Sequence, residues 1–586
     1  MLESLYVVCE VFMFPESYVR NFVYNRKKQL VTFGVFFAVL CFLIGRLVFL
    51  VVVKGPRYEA MAKEQQQRER VVYSPRGAIV DRNGVVLADN KRVYNISVIH
   101  NQITDPEAVI QMLSKECGLD EAFVRKRVEK VSSIEKIKYH VDEEVGKRIL
   151  SYGYDGVKVD GCYSRDYPYE DLASKVLGFT GGDNQGILGL EAKYDEVLRG
   201  NPEELLTMTD ARGVEVEQYG EVHTDSDEGN TLITTLDYNI QSYCAQEAKK
   251  TMIRKEAEGV SILVMNPKNG EILAMVDEPE YNLNDPFTLT EWYQGYEGTQ
   301  GCNLMWRNGC VSDTYEPGSI FKIITSCAAF EEGVLTPEDR FFCPGYTVVE
   351  DRRIRCHKTT GHGSESYVEA LENSCNPAFV QIGSRVGAER FYHYFEQFGL
   401  LDKTGIDLPG EASTIMHKPE NIHPVELATI SFGQSFQVSP IEMMTVIASF
   451  INGGNRVTPH LAKGIQKPGE QECYQYQYPV KTGICSSDTS EKMRTFLEKV
   501  VSEGGGNKAY IEGYSIGGKT ATSQTLPRSE HQYVSSFVGF APAANPEVMV
   551  LVIIKKPQGI YYGGTICAPV AREIFANILP YLGIDK

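Results

Sequence analysis

Glu316-Pro317-Gly318-Ser319-Ile320-Phe321-Lys322 decides how the rest of this 586-residue chain is read. Pro317-Gly318 makes a turn, and the apolar run Ile320 to Phe330 predicts a mostly buried helix starting there. Residues three apart share one face of a helix, so Ser319 and Lys322 are expected to point together into a cleft. A serine hydroxyl is a weak nucleophile at neutral pH. An amine beside it, kept deprotonated by burial or by another cation, can take its proton. Alone, the pair also reads as a helix-capping serine beside a solvated lysine, so its meaning depends on what accompanies it.

Two further clusters follow in order. Ser374-Cys375-Asn376 sits between a helix predicted at Tyr367 to Glu372 and another at Pro377 to Gly383. By itself it also reads as a helix cap. Lys519-Thr520-Ala521-Thr522 lies on a strand predicted within Tyr514 to Gln524, and by itself it also reads as an edge strand guarded by a lysine. Strands are predicted at Thr231 to Leu236, as a hairpin at Val260–Met265 and Glu271–Val276, and at Ser535 to Ala541 and Val548 to Lys555. Helices dominate between the hairpin and the last strands. This is an α+β plan, with one sheet divided between the start and end of a domain that begins near Gly229.

Upstream, residues 1–29 read as a cytoplasmic tail. Leu30 to Val53 has the length and composition to cross a bilayer as one helix, with Arg46 able to snorkel near its end. No small-residue cleavage site follows, so the span reads as a single-pass anchor with the bulk outside. Ala60 to Arg70 reads as a polar helical stalk. Asn83-Gly84 between apolar residues predicts a hairpin, Asp105 to Gly153 short amphipathic helices, and Gly178 to Gly200 a turn-rich segment. The organisation is therefore a tail (1–29), an anchor (30–53), an elongated α/β pedestal (54–228) and a second domain (229–586). The net charge of −18 argues against a nucleic-acid partner. Fourteen cysteines are scattered, with no C-x-x-C pair and no zinc-type Cys/His spacing, so no metal site is expected.

Ser319-x-x-Lys322, Ser374-x-Asn376 and Lys519-Thr520-x, in this order, resemble the three active-site motifs of penicillin-binding proteins and serine β-lactamases. Arg76-Gly77, Asp81-Arg82-Asn83-Gly84, Gly186 with Gly189-Leu190-Glu191, Thr404 to Glu411 and Phe432-Gly433-Gln434 extend the resemblance to class B (monofunctional) penicillin-binding proteins, nearest the septal and spore-wall branch. The resemblance implies a dimerisation-type pedestal and a β-lactamase-like transpeptidase domain, with an antiparallel sheet flanked by helices and an all-α subdomain. It implies D,D-transpeptidase chemistry on peptidoglycan stem peptides ending in D-Ala-D-Ala, and acylation by β-lactams. Ser319 would be the nucleophile, Lys322 its base, Ser374 the proton relay, and Asn376 a positioning group. Lys519 and Thr520 would hold the substrate carboxylate, beside Ala521 and Thr522. The backbone N–H groups of Ser319 and Thr522 would form the oxyanion hole. No cofactor is implied. The implied partners are a membrane-embedded glycosyltransferase and a division or spore-wall complex. Alternatives are a catalytically weak or redox-gated scaffold of a wall-synthesis complex, or a β-lactam sensor or β-lactamase of the same fold.

Two departures from the family pattern stand out. Ala521 occupies a position that is usually glycine. Strand alternation puts it on the Lys519 face, where its methyl is expected to crowd the substrate. Cys375 lies inside the second motif, and with Cys356 it is a candidate redox pair able to distort Ser374 and Asn376. The other reading of Cys375 is a free buried thiol.

Overall fold

The computed structural model describes the backbone of residues 22–72, 74–132, 134–201, 203–208, 222–223, 227–296 and 298–586. Most of the expected tail lies outside them. The apolar span forms an α-helix, Phe22–Val48, that passes into a π-helical turn, Phe49–Val53. Lys28–Val53 is long and apolar enough to cross a membrane, and none of its most apolar window is buried in the protein. The helix Gly55–Gln66 follows. The expected stalk to Arg70 ends at Gln66, because Gln67–Val72 pairs as a strand with Glu203–Met208. A partner strand from far along the chain overrides the local helical pattern.

In the pedestal the hairpin expected around Asn83-Gly84 joins Ile79–Val80 to Val86–Val98. The segment expected to be helical contains Pro106–Cys117, Glu121–Val128 and Glu143–Ser151, the first two capped by Asp105 and Asp120. It also contains a strand that periodicity did not reveal, Glu135–Asp142, paired with Val86–Val98. Arg76 is the hub of this domain. Its guanidinium is buried against Glu191 (2.6 Å), Asp195 (2.7 Å) and the carbonyl oxygens of Asn184 and Glu191. Glu191 also accepts from Arg165 at 2.6 Å. Removing one partner of so buried a network leaves an uncompensated charge, at a cost of about 3–5 kcal/mol.

The two large domains share a sheet. Its strands run Cys473–Gln475, Ala462–Gln466, Thr231–Thr234, Ile79–Val80, Val86–Val98, Glu135–Asp142, with Val157–Asp166 also on Val86–Val98. Thr231–Thr234, expected in the divided sheet of the second domain, instead lies parallel to Ile79–Val80 in this one. Asp81 strengthens the junction by accepting the backbone N–H of Tyr238 at 3.0 Å.

The sheet of the second domain is antiparallel, in the order Ile272–Glu278, Gly259–Met265, Val548–Lys555, Tyr533–Ala541, Gly517–Gln524. Both faces are covered. Met549, Leu551 and Ile553 face one apolar core, and Val548, Val550, Val552 and Ile554 face the other, as period-2 strands require. The helices Tyr238–Lys255 and Ala568–Tyr581 pack on the second face. The serine helix and the helical subdomain pack on the first, which leaves Gly517–Gln524 as the edge strand beside Ser319.

Candidate active site

The serine turn begins as a 3-10 turn, Gly318–Phe321, that continues into the α-helix Lys322–Glu331. Ser319 is half-buried, while Ile320, Phe321 and Lys322 are buried. The turn is fixed from two sides. Gly318 donates its N–H to the carbonyl of Gly433 (2.8 Å), and Ser523 on the edge strand donates its hydroxyl to the carbonyl of Glu316 (2.7 Å). Gly433 has no room for a side chain, since a Cβ there would stand 2.0 Å from the Gly318 carbonyl oxygen. Glu316, buried under the turn, accepts from Arg528 (3.1 and 3.2 Å) and from the N–H of Ser435 (3.0 Å). Chain order gave no sign of Arg528 or Ser523. The glycine of Phe432-Gly433-Gln434 was legible as a motif, but not as the floor of the serine turn.

Lys322 brings the first two motifs together. Its Nζ lies 2.7 Å from the carbonyl oxygen of Ser374, 3.1 Å from Ser374 Oγ and 2.8 Å from Asn376 Oδ1. Two of these partners only accept. A neutral amine keeps both N–H bonds to these two acceptors and leaves its lone pair free to take a proton from a serine hydroxyl. Burial favours that neutral form and lowers the Lys322 pKa to about 8. The ring of Phe379 lies 5.2 Å from the amine.

The capped helix Tyr367–Glu372 ends just before Ser374, and Asn376–Val386 starts directly after Cys375 with Pro377 in its first turn. Ser374 itself has φ +52, a left-handed conformation that costs a serine about 1–3 kcal/mol unless its surroundings enforce it. Here they do. Ser374 N–H reaches Leu371 O (3.2 Å), Cys375 N–H reaches Ala370 O (2.9 Å), and Lys322 holds both the carbonyl and the hydroxyl.

Lys519 is buried on the edge strand face that meets the serine turn. Burial, and then the charge of Lys322, push its pKa well below the usual lysine range. Thr520 and Thr522 lie on the opposite face, half-buried, and Thr522 Oγ1 accepts the N–H of Gly563 at 3.0 Å. Ala521 shares the Lys519 face as expected, but its methyl does not line an open cleft. It is 4% exposed, and a Cβ added at Gly318 would meet it at 3.5 Å. The crowding expected at the substrate therefore falls on the packing between strand and serine turn.

The thiols form a larger group than the sequence indicated. Cys343, Cys356, His362 and Cys375 bring their sulfur and imidazole nitrogen atoms within 4.8 Å of one another. Cys356 and Cys375 are free thiols, and the hydrogen bond from Cys375 holds Cys356 well below the usual thiol range. Glu365 adds buried negative potential, with Oε1 3.9 Å from His362 Nδ1 and without a hydrogen-bond partner. Three thiols and an imidazole make the donor set of a closed four-coordinate zinc site, and a buried thiolate beside an unpaired carboxylate oxygen is an environment that suits a cation. Spacing along the chain showed no zinc pattern, yet the fold brings these four donors together.

Comparison with known proteins accords with this geometry. Residues 260–576 match the family model described as penicillin binding protein transpeptidase domain, and residues 71–234 match the penicillin-binding protein dimerisation domain. The chain belongs to the penicillin-binding protein family. It is 38% identical over 570 residues to stage V sporulation protein D of Bacillus subtilis strain 168, covering 95% of this chain and 86% of that protein. It is 26% identical to the peptidoglycan D,D-transpeptidase FtsI homolog of Mesostigma viride, covering 93% and 94% of the two chains. Among solved structures, penicillin binding protein 2X from Streptococcus thermophilus has the same fold, with a TM-score of 0.72 at 20% identity over 88% of this chain and 81% of that one. The α+β fold class read from the sequence is that of the family.

Proposed function

We propose that this chain is a serine-type peptidoglycan D,D-transpeptidase, anchored by its apolar helix with both large domains on the outer side of the membrane. The observation that carries the reading is the convergence on Lys322. A fully buried amine, one helical turn after Ser319, is bonded to Ser374 and Asn376 and lies close enough to Lys519 for the two charges to interact.

Ser319 Oγ attacks the penultimate D-Ala carbonyl and Lys322 accepts its proton. The contact from Lys322 to Ser374 Oγ carries that proton onward to the amine of the departing D-Ala. Asn376 fixes Lys322 through its Oδ1. Lys519 sits where a substrate carboxylate would favour its protonated form, Thr520 presents its hydroxyl from the other face of the same strand, and the N–H groups of Ser319 and Thr522 stabilise the developing oxyanion. The amine of a second stem peptide, giving up a proton to Ser374 Oγ, then attacks the ester carbonyl; the amide bond forms, the C–O bond to Ser319 breaks, and the proton returns through Lys322 to Ser319 Oγ. A β-lactam enters by the first half-reaction and stays as an ester on Ser319. The work is done alongside a membrane-embedded glycosyltransferase in a septal or spore-wall complex.

Labelling the detergent-solubilised chain with a fluorescent penicillin, wild type against Ser319→Ala, tests the assignment. Label on the wild type alone, with D-Ala released from a pentapeptide substrate, is expected. Label retained by the variant overturns it.

A second reading concerns the thiol cluster. The Cys343, Cys356, His362 and Cys375 set favours a soft divalent cation such as zinc over a two-cysteine redox pair, because four donors converge rather than two. Such an ion would restrain the Ser374-Cys375-Asn376 loop through Cys375, without touching substrate. Metal analysis of the purified chain, together with thiol mass mapping, separates the readings. Bound zinc with reduced thiols supports the ion, and a Cys356–Cys375 disulfide without metal supports the redox pair.

A further inference from the structure

Between Cys343 and Cys356 the chain makes a hairpin that the chemistry above does not use. Its strands, Tyr346–Val349 and Arg352–Arg355, pair antiparallel, with Tyr346 opposite Arg355 and Val348 opposite Arg353. The alternation is decisive for what each face does. Val349 and Ile354 pack against the core. Arg353 and Arg355 share the other face with Tyr346 and Val348, and both arginines are exposed. Two residues apart on a strand, their stems stand roughly 7 Å from each other.

Three observations tie this face to the site. Asn376 donates its Nδ2 to the carbonyl oxygen of Arg355 at 3.2 Å, so the side-chain amide that fixes Lys322 also fixes the end of the hairpin. The hairpin is flanked by two of the four clustered donors, Cys343 and Cys356, which hold its base beside Cys375. The guanidinium of Arg353 lies over the Tyr346 ring at 3.7 Å, which pre-orients it and leaves its N–H edge outward. In a chain of net charge −18, this is a local basic surface. The hairpin's acidic residues, Glu350 and Asp351, sit at its far turn, and Asp351 lies 3.6 Å from Arg352.

We propose that Arg353 and Arg355 bind carboxylate groups of the acceptor stem peptide, and so select the strand that completes the crosslink. This rests on the transpeptidase reading. The donor's terminal carboxylate goes to Lys519 on the opposite wall. The acceptor's amine must arrive where the leaving amine departed, beside Ser374 Oγ, so the chain behind it leaves the cleft past Asn376 and across this hairpin. Peptidoglycan stem peptides carry carboxylates, and paired guanidinium forks match them geometrically.

The test uses the full chain in detergent, a stem-pentapeptide donor, and acceptors with free or amidated carboxylates. For Arg353→Gln with Arg355→Gln, penicillin acylation is expected within about twofold of wild type. Crosslinked product is expected to fall about tenfold or more, the loss of at least one charge-assisted contact. Wild type should lose a similar factor with the amidated acceptor, and the variant should lose little more. Arg353→Lys with Arg355→Lys should recover part of the loss, since charge is kept and the fork is not. Unchanged crosslinking in the glutamine variant, a parallel fall in acylation, or equal use of both acceptors by wild type would each overturn the proposal. A wild type that penicillin does not acylate would instead defeat the transpeptidase reading itself.

Discussion

The two walls around Lys322 are built by different means. The wall formed by the serine turn and the edge strand is held mainly by close backbone packing, with Ser523 and the Glu316–Arg528 pair beneath it. Gly433 touches Gly318, Ser523 holds Glu316, and Ala521 fills the layer between. The wall formed by Ser374, Cys375 and Asn376 is held by side-chain chemistry. A left-handed serine is held by a lysine, between a cysteine cluster and an asparagine bonded to a neighbouring hairpin. The first wall is damaged chiefly by changing its shape. The second can also be changed by conditions, because thiols and amines respond to metal, oxidant and pH.

The largest effect of breaking this contrast is expected on the first wall. Gly433→Ala puts a methyl into the Gly318 carbonyl, and its φ of +83 already disfavours a side chain. It should destabilise the fold by ~3 kcal/mol or more, by the strain and overpacking mechanisms that produce such values. A lowered Tm together with lost penicillin labelling, neither restored by metal or reductant, is the expected result.

The second wall should fail conditionally. Removing metal under reducing conditions, or replacing Cys356 with serine, should slow acylation by roughly 10–100-fold and lower Tm. In the wild type both should return on adding zinc. Acylation rates and melting curves before and after chelation check this. A rate indifferent to the chelator and to Cys356→Ser would erase the distinction between the walls.

The smallest effect belongs to Ala521. Its methyl is packed between strand and turn, so Ala521→Gly should change penicillin acylation by less than about threefold and stability by ~1 kcal/mol. Acylation rates for several β-lactams measure it, and large, drug-dependent changes would return the methyl to the substrate side.

Much of this was legible in the sequence because each motif is local. Ser319 and Lys322 sit one helical turn apart, Ser374 and Asn376 flank one helix start, and Lys519 to Thr522 are one strand, so period and capping sufficed. What was not legible depends on pairing across long stretches of chain. Thr231–Thr234 sits between Ile79–Val80 and Ala462–Gln466, a choice made by the whole fold. The three thiols and the imidazole come from a strand end, a hairpin end, a helix start and a loop, at spacings that match no familiar zinc pattern. The direction of the Ala521 methyl was correct in parity, but its neighbour was wrong, because alternation gives the face and not what is packed against it.

The central claim is that buried Lys322 is the base that activates Ser319. The most direct measurement is the rate of Ser319 acylation by a penicillin across pH, read by intact mass, for wild type and Lys322→Gln. Burial lowers the Lys322 pKa to about 8, so the base form grows as pH rises and the rate should climb to a plateau with a midpoint near that value. Lys322→Gln should lose about 100-fold or more and lose the pH dependence with it. A flat profile in the wild type, or a Lys322→Gln chain that acylates at the wild-type rate, would contradict the account.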